Sequence, residues 1–238
     1  VKLSNAYFGF TAIPNTVVNV GKQGLATPYT VAVDINGNEH NGTGILALST
    51  FGPITAGAGY FNNSSIGDGG STTDISNRSG VGTNAVNGLL DGGSDIYVAT
   101  VQGDLDFVKL EAWYLGLQDT FNTYTFAATG KIDLAEDAKI GLEARYVNLK
   151  LDSDTTFTGK DAKNDMFRFA VDGKFSIVNA RLAYTMTGDK GFGLTALDQD
   201  AKNTSLGWGI TSNGVANADY YQAALGADIL DNLNFTAH

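Results

Sequence analysis

Residues 165–187 read Asp-Met-Phe-Arg-Phe-Ala-Val-Asp-Gly-Lys-Phe-Ser-Ile-Val-Asn-Ala-Arg-Leu-Ala-Tyr-Thr-Met-Thr. The odd positions Phe167, Phe169, Val171 and Phe175 are apolar, while the even positions Arg168, Asp172 and Lys174 carry charge. After a short break the rule resumes, with Ala180, Leu182, Tyr184 and Met186 on one side and Arg181, Ala183, Thr185 and Thr187 on the other. Side chains that change character every second residue belong to a pleated strand with two unlike faces, because a helix would repeat near 3.6. The stretch therefore predicts two strands joined by a turn at 176–179.

The same parity extends in both directions. Ile140, Leu142, Ala144 and Tyr146 oppose Glu143 and Arg145. Tyr124, Phe126, Ala128 and Ile132 oppose Thr123, Thr125, Thr129 and Lys131. Val108, Leu110, Ala112 and Tyr114 oppose Lys109, Glu111 and Trp113, and Tyr221, Ala223, Leu225 and Ala227 oppose Tyr220, Gln222 and Asp228. Phe8 and Phe10 begin the series, Leu233, Phe235 and Ala237 end it, and 16–22, 43–51, 53–61 and 95–103 are strand-like with weaker alternation. About twelve strands are expected. Short links at Pro14-Asn15, Gly52-Pro53, Gly103-Asp104, 133–138, 176–179 and 228–232 alternate with the links 22–42, 62–94, 118–121, 152–164 and 189–216, all but one of them long. Such alternation puts tight turns at one end of an antiparallel sheet and long loops at the other, as in an outer-membrane barrel.

Composition removes several other classes. Among 238 residues 43% are hydrophobic, which excludes wholesale disorder. The 3 prolines are too few for collagen, and glutamate is too scarce for a coiled coil. A net charge of -10 with 15 Lys and Arg argues against a nucleic-acid partner. Without cysteine there is no disulfide, thiol nucleophile or thiolate zinc site, and two histidines, His40 and His238, suggest no triad. No run approaches the roughly 18 apolar residues of a membrane helix. Mean hydropathy of -0.06 suits a soluble protein, but alternating barrel strands average to zero as well.

Two readings compete with the barrel. One is a soluble or surface-displayed β-rich binding module, adhesin-like, with the long loops as its ligand face. The other is a β-rich polysaccharide enzyme, which needs a carboxylate pair across a cleft. The aromatic content of the apolar face, the end-sorted links and strands of about ten residues favour an all-β, antiparallel transmembrane β-barrel. The discriminating observation is whether Phe126, Tyr146, Phe167, Phe169, Tyr184 and Tyr221 face outward or pack in a dry core.

Val20-Gly21-Lys22-Gln23, the following Asn41-Gly42-Thr43-Gly44-Ile45, and Asp165 to Phe175 leading into Leu182-Ala183-Tyr184 and Gly188-Asp189-Lys190 resemble the major outer membrane protein porins of epsilonproteobacteria. The resemblance implies a wide antiparallel barrel, a homotrimer in the lipid and lipopolysaccharide of the Gram-negative outer membrane, and passage of small hydrophilic solutes. A closed barrel of about 16–18 strands needs more chain than this. Residues 1–238 are therefore expected to form a single porin domain lacking strands at both ends.

If the apolar face meets lipid, Arg145, Arg168, Arg181, Lys109, Lys131 and Lys174 share the other face and line a water-filled lumen as a basic wall. Glu111, Glu143 and Asp172 lie on the same face and temper its field. The expected function is a general diffusion channel, not an enzyme, with no required cofactor. Acidic loops and net acidity predict weak cation preference. Porins narrow their channel with an inward loop, and 22–42 is the candidate constriction loop. Related porins bind a divalent cation near the narrowing, and the resemblance places Asp34, Asp68 and Asp198 at the matching positions, where carboxylates suit Ca²⁺.

Overall fold

The computed structural model describes residues 3, 5–30, 41–64, 94–152, 163–190, 210–212, 215–230 and 233–237. The candidate calcium ligands Asp34, Asp68 and Asp198, and residues 31–40 of the candidate constriction loop, lie outside them. Twelve strands are present: β1 (Ala6–Phe10), β2 (Thr16–Gly24), β3 (Asn41–Phe51), β4 (Ile54–Ser64), β5 (Ile96–Leu105), β6 (Val108–Leu117), β7 (Phe121–Ala135), β8 (Ala138–Leu151), β9 (Lys163–Phe175), β10 (Val178–Thr187), β11 (Asp219–Leu230) and β12 (Leu233–Ala237). They form one sheet in sequence order, every neighbour antiparallel. The order leaves β1 and β12 as its edges. From β3 to β11 each strand has 10 residues or more, enough for a tilted strand to cross a bilayer. Among the described residues no helix is long and apolar enough to do so.

Links sort by end as the sequence predicts. Two residues each join β3 to β4, β5 to β6, β7 to β8, β9 to β10 and β11 to β12, and five join β1 to β2. The first linking residue has positive φ at Gly52 (56°), Asp106 (51°) and Ser176 (52°), which meets the requirement of a type II′ hairpin turn. That turn matches the right-handed twist of the strands, so register is set from the turn end.

The aromatic side chains answer the question posed by the sequence. Phe126 is 54% exposed, Phe169 43% and Tyr221 74%, Tyr146 and Phe167 are also exposed, and Tyr184, paired in register with Phe169 and Tyr221, is half-buried beside them, so this face does not pack into a dry core. It is the outer face. Towards the loop end it carries three cross-strand tyrosine pairs, Tyr60–Tyr97, Tyr114–Tyr124 and Tyr184–Tyr221, with centroids 5.4, 5.3 and 4.9 Å apart. One phenol of each pair donates to a polar side chain: Tyr60 to Asp95 at 2.8 Å, Tyr114 to Asn122 at 2.7 Å, and Tyr184 to Asp219. Towards the turn end Phe10, Phe51, Phe107, Phe175, Ile177 and Phe235 are exposed. These are the two interfacial girdles of a membrane barrel, with amphipathic tyrosine at one water boundary and phenylalanine at the other.

Close backbone approach constrains two facing glycines. Gly21 of β2 has a φ of 130°, and a Cβ there would meet Ala6 O at 2.5 Å. Its partner Gly44 lies at a bulge between β3 and β4, where a Cβ would stand 2.0 Å from Tyr60 O and 2.6 Å from Phe61 Cα. Backbone cannot rotate away as a flexible side chain can. Gly44→Ala is expected to cost about 1–3 kcal/mol and to lower the urea midpoint of the detergent-folded protein. Unchanged unfolding would show that the bulge relaxes freely.

Candidate functional site: the inner face of the sheet

The register places Lys109, Lys131, Arg145, Arg168, Lys174 and Arg181, together with Glu111, Glu143 and Asp172, on the face opposite the aromatic one. Four further charged residues share it: Asp104, Asp133, Lys139 and Asp228. Sequence reading left Asp104 and Asp133 in turns, placed Asp228 on the polar face of its strand and gave Lys139 no role, yet the strands run on until only two linking residues remain. The parity of Lys131, Asp133 and of Lys139, Glu143 was the available signal. The strand-borne inner face thus holds seven cations and six anions, whereas the chain carries a net -10. The expected basic wall is nearly balanced, and the surplus negative charge lies off this face.

The arginines are clustered around carboxylates. Arg145 on β8 and Arg168 on β9 are direct cross-strand partners, a like-charge pairing that is unfavourable on its own. Glu143 resolves it. Its carboxylate is 3.3 Å from Arg145 Nε, 3.8 Å from Arg168 Nε and 3.6 Å from Arg181 Nη2. Arg181 Nε also approaches Asp172 at 3.5 Å. Arg168 Nη1 donates to Thr185 Oγ1 at 3.2 Å and Gln222 Oε1 at 3.0 Å, so one guanidinium ties β9 to β8, β10 and β11.

Exposure changes along the cluster. Arg168 is fully buried and Arg145 nearly so, whereas Asp172 is 49% and Arg181 24% exposed. Towards the turn end Lys109 pairs with Glu111 at 3.1 Å and Lys174 with Asp228 at 3.4 Å, both lysines about half exposed. Such partly solvated pairs hold each other weakly and leave their charges available to solvent. A cavity of about 1200 Å³ opens here, with Lys131, Lys139, Asp172, Lys174 and Arg181 in its lining.

The loop-end half of the inner face is apolar, which sequence reading missed. Phe61, Ile96, Val98, Leu115, Leu117, Phe121, Leu149 and Leu151 form one buried cluster. Leu25 and Tyr29, from the segment after β2, complete it. The signal was present: Ile96-Tyr97-Val98 and Tyr114-Leu115 are apolar at both parities, as expected where the outer face is apolar and the inner face is packed against apolar neighbours. The 25–30 segment is held by Thr27 and Thr30, whose hydroxyls lie 3.0 Å apart, by Thr30 Oγ1 donating to Leu25 O, and by Tyr29 Oη donating to Trp113 O at 3.4 Å. The described part of the candidate constriction loop therefore packs onto the inner face. Among the described residues no group of three or more acidic or histidine side chains stands together to hold a metal ion.

Residues 1–236 match the sequence profile of the Campylobacter major outer membrane protein family, and the chain belongs to that family. No curated protein matches it in sequence. The fold resembles solved outer-membrane channels: Acinetobacter baumannii OccAB1, at 18% identity and a TM-score of 0.71 over 93% of this chain and 56% of that one, and Pseudomonas aeruginosa OccD3 (OpdP), at 17% and 0.69 over 95% and 53%. P. aeruginosa OpdK, at 11% identity, gives 0.67 over 91% and 56%. The chain spans just over half the length of these structures. It is an outer-membrane protein of the Gram-negative transmembrane β-barrel class.

Truncating the buried Tyr29 to alanine is expected to cost about 3 kcal/mol of local stability. Amide exchange across 25–30 would then accelerate while exchange in β7–β9 stays unchanged. Equal exchange in the variant and the parent would show that the ring does not hold the segment down.

Proposed function

We propose that the full-length protein is a general diffusion porin that passes small hydrophilic solutes and ions, weakly preferring cations, and has no turnover chemistry. The observation that carries this reading is the contrast between the two faces of each strand. One presents exposed aromatic and aliphatic side chains suited to lipid; the other carries charges in near balance beside a large cavity. Residue roles follow exposure. Lys109, Lys131, Lys174, Arg181 and Asp172 meet the permeating solution, Glu111 acts on it through its exposed partner Lys109, and Arg145 and Arg168 act through their field and through Glu143. Guanidinium groups stay charged at any physiological pH, so that field is permanent.

Segment 22–42 serves as the constriction in this proposal, supported by the burial of Leu25 and Tyr29 against the inner face. The homotrimer, and Ca²⁺ held by Asp34, Asp68 and Asp198, come from the resemblance and from the suitability of carboxylates for calcium. Cation preference is supported by the charge distribution, because an inner face of near-zero net charge leaves the acidic surplus elsewhere to attract cations at the entrances.

In planar bilayers under a potassium chloride gradient the full-length protein is expected to show a reversal potential displaced in the cation-selective direction. A displacement towards chloride would overturn the sign. Calorimetry is expected to detect calcium binding that weakens at least tenfold in Asp34→Ala; no binding in either protein would remove the calcium site and leave the porin proposal standing.

A further inference from the structure

We propose that Glu143 is the selectivity-determining residue of this channel, an inference that rests on the porin reading above. Three arginines on three consecutive strands converge on its one carboxylate. Arg145 and Arg168 are buried and face each other in register, so they cannot swing into bulk solvent when a counter-charge is lost. Arg168 is further fixed by Thr185 and Gln222. Asp172 also pairs with the trio, at Arg181. Removing the charge of Glu143 raises the net charge at a fixed place on the inner face by one positive unit.

Glu111 supplies the contrast. Its partner Lys109 is half exposed and on a flexible stem, so water and salt compensate a lost carboxylate there. A fixed unit charge about 7 Å from an ion path shifts each ion's energy by about RT even at the dielectric constant of water. Cation and anion shift in opposite directions, so the permeability ratio changes by about threefold or more after partial screening by salt.

Reversal potentials of the full-length protein and its variants in a potassium chloride gradient test this, with heat-modifiable migration on electrophoresis confirming folded barrels. Glu143→Gln is expected to move the potassium-to-chloride permeability ratio about threefold or more towards chloride. Glu143→Asp is expected to retain the parent ratio, and Glu111→Gln to shift it by less than about twofold. The charge-balanced pair Glu143→Gln with Arg145→Gln is expected to return to the parent ratio. A folded Glu143→Gln channel with the parent ratio, or a Glu111→Gln channel shifted as far, would overturn the inference. Should Glu143→Gln alone not fold, the paired variant decides: a ratio clearly more cation-selective than the parent would overturn it. A parent protein with no conductance would instead overturn the porin reading itself, a result visible before any variant is compared.

Discussion

A strand in hydrocarbon has no water to which its N–H and C=O groups can turn, so each must find a partner on the next strand. The continuous antiparallel ladder from β1 to β12 is the form that this constraint takes here. Once the ladder exists, the period of two follows, and every strand must present one face to lipid and the other to whatever the sheet encloses. Exposed aromatics on the outside and charge on the inside are consequences of that sorting, as are hairpin turns short enough to hold register. The close contacts at Gly21 and Gly44 show the same constraint locally, since neighbouring backbones approach until no Cβ fits between them.

The inner face is divided along its height. Near the turns it is charged and open to solvent; near the loops it is apolar and covered by Leu25 and Tyr29. Between them lies the arginine cluster, buried at Arg168 and increasingly exposed towards Arg181 and Asp172. Burying guanidinium groups is costly unless carboxylates and hydrogen-bond acceptors compensate them, and Glu143, Thr185 and Gln222 do so. The result is a charged structure with little freedom to rearrange. That rigidity makes its electrostatic field depend on composition rather than on side-chain motion.

Much of this was legible in residues 165–187 and their neighbours, because alternation in a strand is a strictly local property. Strand number, the sorting of short and long links, and the shared face of Arg145, Arg168 and Arg181 all follow from counting by twos. Less legible were Asp104 and Asp133, which look like turn residues until the strands are seen to continue up to two-residue links. The apolar inner patch was obscured for a related reason. Leu115, Val147 and Leu149 break the alternation, and a broken pattern reads as weak signal rather than as an apolar inner face behind an apolar outer one.

Sequence alone determined which side chains share a face, since parity survives any arrangement of the sheet. It could not determine which charges meet, because pairing across strands depends on register, and register depends on turn geometry and bulges such as the one beside Gly44. Glu143 illustrates the difference. By sequence it is a carboxylate two residues from Arg145; only the alignment of β8 with β9 and β10 brings Arg168 and Arg181 to it as well. Tertiary structure likewise decided that Tyr29, far from Trp113 along the chain, reaches its carbonyl and seals the apolar half of the inner face.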